Sequence, residues 1–231
     1  MRQAWRLRLA SGLPDCCTSD PENYKVVAEI PSARLVHMQM APGNEDQPHE
    51  HPSHSMYFLS SAKLEITNIG ADGKHGAPEV MEIPAGFVPI SPAGAHVVKN
   101  IGDTTASVLF VEAYPNCKPC GAIADYISPF KVAPECYQLL AEDNDWYTGE
   151  INLKKGQEGA FHHHRDHLMY VVDGGEITIY QGGDKSKEPM KLDLPPGAAI
   201  PAPMEAPPFA SHIVANNGDT DLRMIFFEMK Q

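Results

Sequence analysis

The feature that most constrains the fold is an internal repeat at an offset of 113 residues. Residues 21–29 (PENYKVVAE) resemble residues 134–142 (PECYQLLAE), with five identical positions and Leu replacing Val at two others. A five-residue insertion later in the second copy changes the offset, after which His96-x3-Asn100 corresponds to His212-x3-Asn216. Self-similarity of this length predicts one structural unit present twice.

The repeat divides a chain of 231 residues into two domains of ordinary size. We assign residues 1–20 to an N-terminal arm and residues 21–113 and 134–231 to the two copies. Residues 114–133 form the connector, in which residues 122–127 (AIADYI) favour a short helix.

Each copy is a series of short apolar segments separated by turn residues. Residues 35–40 (LVHMQM) and 176–180 (EITIY) are typical strands, and residues 70–73 (GADG) and 182–184 (GGD) are typical hairpin turns. Many short strands with regularly spaced turns predict an all-β fold of two barrels.

Composition excludes several functions. The net charge of −12 argues against a nucleic-acid partner, and no apolar run has membrane-spanning length. The five cysteines are an odd number without disulfide spacing, which predicts reduced thiols and a cytoplasmic protein. Cys117 and Cys120 form a C-x-x-C that lacks a second such pair, so we assign it no role.

Histidine spacing carries the chemistry. Residues two apart on a strand point to the same face, so His49 and His51 would face one barrel interior, as would His162 and His164. A further histidine on a later strand, His96 or His212, would complete each cluster. Three imidazoles converging inside a barrel predict a divalent metal site with open coordination positions.

These motifs resemble those of the cupin superfamily, in its two-domain bicupin form. Gly43-x5-His49-x-His51 and Gly156-x5-His162-x-His164 are similar to the first cupin motif, and Gly86-x5-Pro92-x-Gly94-x-His96-x3-Asn100 is similar to the second with one residue fewer. The resemblance implies two tandem jelly-roll barrels (double-stranded β-helices) and suggests a homodimer paired through edge strands.

The chain departs from the cupin pattern at one ligand. The family's glutamate lies three residues before a strand aromatic, and here that position is His54 before Tyr57 and His167 before Tyr170. The chain therefore looks like cupins that bind metal with histidines alone. The implied cofactor is one divalent transition metal ion per barrel, Zn, Fe, Mn, Ni or Cu. The predicted ligands are His49, His51, His54, His96, His162, His164, His167 and His212.

Three predictions concern the surroundings of the clusters. His163 lies between two predicted ligands and should point outward to solvent. Glu112 and Glu228 close the last strand of each copy and, if they face inward, would orient a ligand histidine. The segment at residues 204–209, which contains the five-residue insertion, could form a lid, so we expect the two sites to differ in access.

Two classes of function remain open. The first is a metal-dependent enzyme acting on a small organic, anionic or enolate-like molecule; a dioxygenase-like reaction is favoured over an isomerase, cyclase or lyase. The second is a non-catalytic metal-binding or ligand-sensing bicupin. No general base or other catalytic residue is identified from the sequence.

Overall fold

The computed structural model describes residues 12–114, 123–204 and 210–230. The chain divides into two compact units: unit 1 comprises residues 1–29 and 33–117, and unit 2 comprises residues 30–32 and 118–231. The arm, barrel and connector boundaries given above stay predictions. None of the helices in the described part of the chain has the length and apolarity that crossing a membrane requires.

The described part of unit 1 contains a one-turn helix followed by nine strands in two antiparallel sheets. The sheet orders are β1-β2-β9-β4-β7 and β3-β8-β5-β6. The elements are α1 (Cys16–Ser19), β1 (Tyr24–Ile30), β2 (Ala33–Met40), β3 (His49–His51), β4 (His54–Phe58), β5 (Ala62–Ile69), β6 (Glu79–Ile83), β7 (Ile90–Ser91), β8 (Gly94–Asn100) and β9 (Ala106–Ala113).

Unit 2 has the same arrangement, with sheet orders β10-β11-β18-β13-β16 and β12-β17-β14-β15. Its elements are α2 (Pro129–Val132), β10 (Tyr137–Glu142), β11 (Trp146–Leu153), β12 (His162–His163), β13 (His167–Asp173), β14 (Gly175–Gln181), β15 (Met190–Leu194), β16 (Ala199–Ala202), β17 (Ser211–Asn216) and β18 (Leu222–Met229).

The core of each unit lies between its two sheets. In unit 1, buried Met38 and Phe110 from one sheet pack in the same apolar cluster as Leu64 and Val98 from the other. Burial of such side chains contributes about 1.5–3 kcal/mol each relative to exposure. The all-β, two-barrel prediction is confirmed.

A glycine turn joins the two sheets at the same place in both units. Gly86 and Gly197 have φ values of 82° and 84°, a left-handed conformation that side chains with a Cβ rarely adopt. The Gly86 N–H donates to the Phe58 carbonyl at 2.8 Å, and the Gly197 N–H donates to the Val171 carbonyl at 2.8 Å. The turn thus ties the chain to β4 or β13, the strand that begins with His54 or His167.

The helix predicted within residues 122–127 is wrong for the described part, residues 123–127. Ile127 pairs instead with His163, donating its N–H to Nδ1 at 3.1 Å and accepting the His163 N–H at 2.9 Å. The helix begins two residues later, where Pro129 occupies a first-turn position that needs no N–H donor.

Candidate metal centres

The unit 1 triad consists of His49, His51 and His96. His49 and His51 lie on β3, and His49 is directly opposite His96 on β8. One nitrogen from each ring lies within 4.8 Å of the others. The ring centroids are 4.7 Å apart for His49–His51 and for His49–His96, and 5.1 Å apart for His51–His96.

The unit 2 triad, His162, His164 and His212, repeats this geometry. His162 pairs with His212 across β12 and β17, and the three ligand nitrogens again lie within 4.8 Å of one another. The centroid separations are 4.6 Å for His162–His164, 4.7 Å for His162–His212 and 5.0 Å for His164–His212. Residues far apart in sequence therefore converge in each unit, as the spacing predicted.

The orientation of the rings supports metal coordination. His49 Nδ1 is 2.8 Å from the Gln47 carbonyl, and His162 Nδ1 is 2.7 Å from the Ala160 carbonyl. A carbonyl only accepts, so Nδ1 must carry the hydrogen and Nε2 keeps its lone pair. Both Nε2 atoms are buried with no hydrogen-bond partner among the described residues. A buried lone pair without a partner is costly, and an ion in the cluster would satisfy it.

A buried carboxylate, that of Glu112, holds the His51 ring in unit 1. Glu112 Oε1 is 2.6 Å from His51 Nδ1, and Glu112 Oε2 accepts from Arg34 Nε at 2.7 Å. Arg34 also contacts Asp15 at 3.0 Å. Glu112 and Arg34 are both buried, and the guanidinium compensates the charge of Glu112 and of Asp15.

Unit 2 uses the same carboxylate with different support. Glu228 Oε2 is 2.8 Å from His164 Nδ1, while Glu228 Oε1 accepts from the Tyr126 hydroxyl at 2.5 Å. Arg165 is 3.7 Å from Oε1. The prediction that Glu112 and Glu228 face inward and contact a histidine is confirmed in both units. Such carboxylate–histidine pairs fix the ring and raise its basicity toward a metal.

His54 and His167 lie beside the triads. The His54 ring centroid is 4.7 Å from that of His51, and the His167 centroid is 4.6 Å from that of His164. Their Nδ1 atoms contact the carbonyls of Pro52 at 2.9 Å and Arg165 at 2.8 Å, so Nδ1 carries the hydrogen and Nε2 would be the atom to bind an ion. Neither belongs to the groups within 4.8 Å, so their ligation stays a prediction.

The imidazoles are set to be neutral. Burial lowers the pKa of His162 and of His167 to about 4, and it lowers the pKa values of His51, His96 and His164 well below the usual value. Neutral imidazole is the form that ligates metal, so no proton has to leave before an ion binds at pH 7.

A buried acid distinguishes unit 1 from unit 2. Asp46 accepts from the Tyr24 hydroxyl at 2.6 Å and from the Val98 N–H at 2.8 Å, and it lies 3.7 Å from His49 Nδ1. At the 113-residue offset, the position of Asp46 is occupied by Gly159. The unit 1 cluster therefore has two neighbouring carboxyl groups, Asp46 and Glu112, whereas the unit 2 cluster has Glu228.

The cavities beside the triads differ strongly in size. The unit 1 cavity measures about 360 Å³ and reaches His51, His54 and His96, whereas the unit 2 cavity measures about 30 Å³. The predicted difference between the two sites is confirmed. Most of the proposed lid, residues 205–209, lies outside the described residues.

Side chains on equivalent strands contribute to this difference. Met81 on β6 and Phe87 after it line the unit 1 cavity and are 43% and 45% exposed. In unit 2, Leu192 occupies the register position of Met81 and packs against the core with Ala198 and Ile200. Among the described residues, these side chains narrow the unit 2 cavity, where Leu192 and Ile200 form part of its lining.

His163 lies outside the triad, as expected, but it does not simply point into solvent, which the sequence had predicted. It is half-buried, packs on Phe161 with ring centroids 5.1 Å apart, and pairs through its backbone and Nδ1 with Ile127. Its ring thus holds the segment around Ile127, 36 residues earlier in the chain.

Cys117 and Cys120 lie outside the described residues.

Sequence reasoning missed Arg34, Asp46 and Tyr126. Arg34 stands between apolar residues in β2, where alternation gives no sign of a buried ion pair. Asp46 lies within the Gly43-x5-His49 motif, but the repeat has Gly159 there, so comparison of the two copies points away from it. Tyr126 lies in the connector, where no pattern indicated a contact with Glu228.

The sheets and the histidine clusters define the class: both units have the cupin fold. Similar solved structures include AerE from Microcystis aeruginosa, at 13% identity and TM-score 0.57, covering 90% of this chain and 97% of that one. The oxalate decarboxylase–formate complex from Lactobacillus farciminis matches at 15% identity and TM-score 0.55, covering 90% and 80%. An oxalate decarboxylase from Bacillus subtilis matches at 15% and 0.54, covering 89% and 71%. No protein-family model matches the chain, and no curated protein matches its sequence significantly.

Proposed function

We propose that this protein is a metal-dependent bicupin enzyme in which each histidine triad binds one divalent transition metal ion. The observation that carries the proposal is the pair of buried Nε2 atoms on His49 and His162, which have no hydrogen-bond partner among the described residues and belong to triads whose nitrogens lie within 4.8 Å of one another. The same strand order in both units and the repeated motifs support an ancestral duplication. A cytoplasmic location and a homodimer remain part of the proposal.

We infer that unit 1 is the reactive centre. Its cavity of about 360 Å³ leaves one side of the triad open to a small molecule, which matches the lower range of small-molecule sites. The bound ion would supply Lewis-acid or redox chemistry. The chain itself holds His51 through Glu112, keeps the imidazoles neutral, and surrounds the substrate with apolar side chains that exclude water.

A dioxygenase-like reaction fits this centre better than decarboxylation of a small dicarboxylate. Two of the similar structures named above are oxalate decarboxylases. A further similar structure, of the Bacillus subtilis enzyme, concerns its Mn(II) centres, which makes Mn a metal to test. None of the described residues lining the unit 1 cavity is Lys or Arg, so no side-chain cation faces a second carboxylate. Isomerase, cyclase and lyase reactions remain the alternatives within the same site.

The proposal is tested by loading metal-free protein separately with Fe²⁺, Mn²⁺, Ni²⁺, Cu²⁺ and Zn²⁺ and screening O₂ consumption with small enolizable and carboxylic compounds. Consumption that depends on the metal and disappears in His51→Ala supports the proposal. The matched change His164→Ala in unit 2 should preserve activity. O₂ consumption that persists in His51→Ala would contradict the assignment to unit 1.

A non-catalytic role is favoured for unit 2 by its small cavity. A cavity of about 30 Å³ among the described residues leaves far less space for a substrate beside the triad than the 360 Å³ of unit 1. We infer that an ion there stabilises the fold. Removal of metal from unit 2 should then lower the thermal midpoint without removing substrate binding.

A further inference from the structure

The unit 1 cavity is polar at one end and apolar along its body. Histidines 51, 54 and 96 form the polar end. The walls come from both sheets and are formed by Phe58, Leu64, Ile66, Val98, Val108 and Phe110. A ligand that reaches the triad must therefore bury its remaining atoms against hydrocarbon.

The outer end of this cavity is also largely apolar. Met81 and Phe87 line the cavity and are exposed, so they lie where it meets solvent. The charged residue in the lining is Glu79, an exposed carboxylate on the same strand as Met81. A second anionic group on the ligand would lie near Glu79 without any lining Lys or Arg to compensate it.

We propose that unit 1 binds a small organic monoanion, a monocarboxylate or an enolate. Its one anionic oxygen-bearing head group lies at the histidines, and its alkyl or aryl body lies in the cavity. This inference rests on the proposed function, because the ion in the triad binds the head group. Transfer of the ligand's alkyl or aryl body from water into the cavity increases the binding constant by about fourfold per buried methylene. A dianion of the same length brings its second carboxylate to the end with Glu79, and the described lining offers it the neutral side chains of Asn68 and Ser91 but no Lys or Arg to compensate its charge.

The test compares acetate, hexanoate and adipate as probes on protein loaded with Co²⁺. Adipate has the same six-carbon chain as hexanoate with a carboxylate in place of the terminal methyl group, so the pair compares a charged with an apolar far end at equal carbon number. Isothermal titration gives the affinity, and the visible Co²⁺ spectrum reports whether the head group reaches the ion. We expect hexanoate to bind at least tenfold more tightly than both acetate and adipate.

Two neighbouring residues on β6 provide matched variants. Met81 lines the cavity and Val80 does not, although both are exposed, at 43% and 55%. Met81→Glu should weaken hexanoate binding at least tenfold, and Val80→Glu should change it less than twofold. Circular dichroism and Co²⁺ content show whether both variants remain folded and loaded.

The outcomes separate this inference from the proposed function. If the protein binds Co²⁺ but hexanoate and adipate bind equally, or Met81→Glu behaves as Val80→Glu does, the substrate class is overturned and the metal centre stands. If the protein binds no Co²⁺, the proposed function fails and this inference fails with it. Chain-length selectivity together with a spectral response supports both.

Discussion

His51 and Glu112 form a 2.6 Å contact that links the unit 1 triad to a buried ion pair. His51 Nδ1 contacts one carboxylate oxygen, and Arg34 donates to the other at 2.7 Å. The guanidinium balances the charge of a carboxylate that would otherwise be costly to bury. His51, Glu112 and Arg34 therefore form one connected hydrogen-bond network.

The first prediction concerns Glu112→Gln. Loss of the carboxylate should weaken metal binding in unit 1 by about 10–100-fold, because the ring loses its anionic hydrogen-bond acceptor. A competition titration with a chromophoric chelator, in a His212→Ala background that disables the unit 2 triad, measures this affinity. An unchanged affinity would show that Glu112 does not support His51.

Glu228→Gln is the matched control for stability. Glu112→Gln removes the nearer of the two carboxylates that pair with buried Arg34, leaving Asp15 at 3.0 Å, and should cost about 1.5–3 kcal/mol of unfolding free energy. Glu228→Gln should cost less, because Glu228 is held by the neutral Tyr126 hydroxyl and Arg165 is 3.7 Å away. Urea unfolding of metal-free protein compares the two, and equal costs would contradict the role given to Arg34.

The second prediction concerns Asn100, the last residue of the second motif. Its buried side-chain amide donates to the carbonyls of Met40 and Thr104, both at 2.8 Å, and its oxygen accepts from the Gly102 N–H at 3.0 Å. Asn100→Ala removes these bonds and should cost on the order of 2–4 kcal/mol of unfolding free energy. Metal stoichiometry should stay unchanged, since Asn100 does not touch the triad; loss of metal from a folded Asn100→Ala protein would contradict this.

The third prediction concerns acid. Burial lowers the pKa of His162 to about 4, against 6.5 in the unfolded chain, so between these values the unfolded state binds more protons. The stability contributed by neutral His162 is complete above pH 6.5 and is lost as the pH falls through 4. The loss is on the order of 3 kcal/mol at 1.36 kcal/mol per pH unit.

Other groups titrate in the same range, and Asp46, whose pKa is raised to about 7 by burial, acts in the opposite direction. The measurement is therefore a difference between metal-free wild type and His162→Gln in urea unfolding from pH 7.5 to 4. The wild type should lose stability relative to the variant as the pH falls. A difference that is constant with pH would contradict a buried neutral His162.

Much of the fold and the triads could be predicted because they depend on local patterns. Strand alternation places His49 and His51 on one face, and the repeat at 113 residues shows that His162 and His164 do the same. Arg34 could not be predicted, because its burial depends on Glu112, which is 78 residues away in sequence. The helix expected within residues 122–127 is absent from the described residues 123–127, where Ile127 pairs with His163, a contact 36 residues away in sequence that no local pattern indicates.

The difference between the two cavities was predicted from a proposed lid, most of which lies outside the described residues. The segment at residues 204–209 suggested a lid, whereas the difference seen among the described residues is one of packing: Leu192 packs partly buried against the core and its counterpart Met81 is exposed. Side-chain packing of this kind depends on the neighbours in three dimensions. Sequence comparison of Leu with Met does not indicate which cavity stays open.

The central claim is most directly tested by the metal content of protein purified without a histidine tag, measured by elemental analysis per chain. The account predicts two transition metal ions for the wild type and for His163→Ala, whose ring pairs with Ile127 outside the triad. It predicts one ion for His49→Ala or His162→Ala, and none for the double variant. Wild-type protein that takes up no stoichiometric metal, or a double variant that keeps two ions, would contradict it.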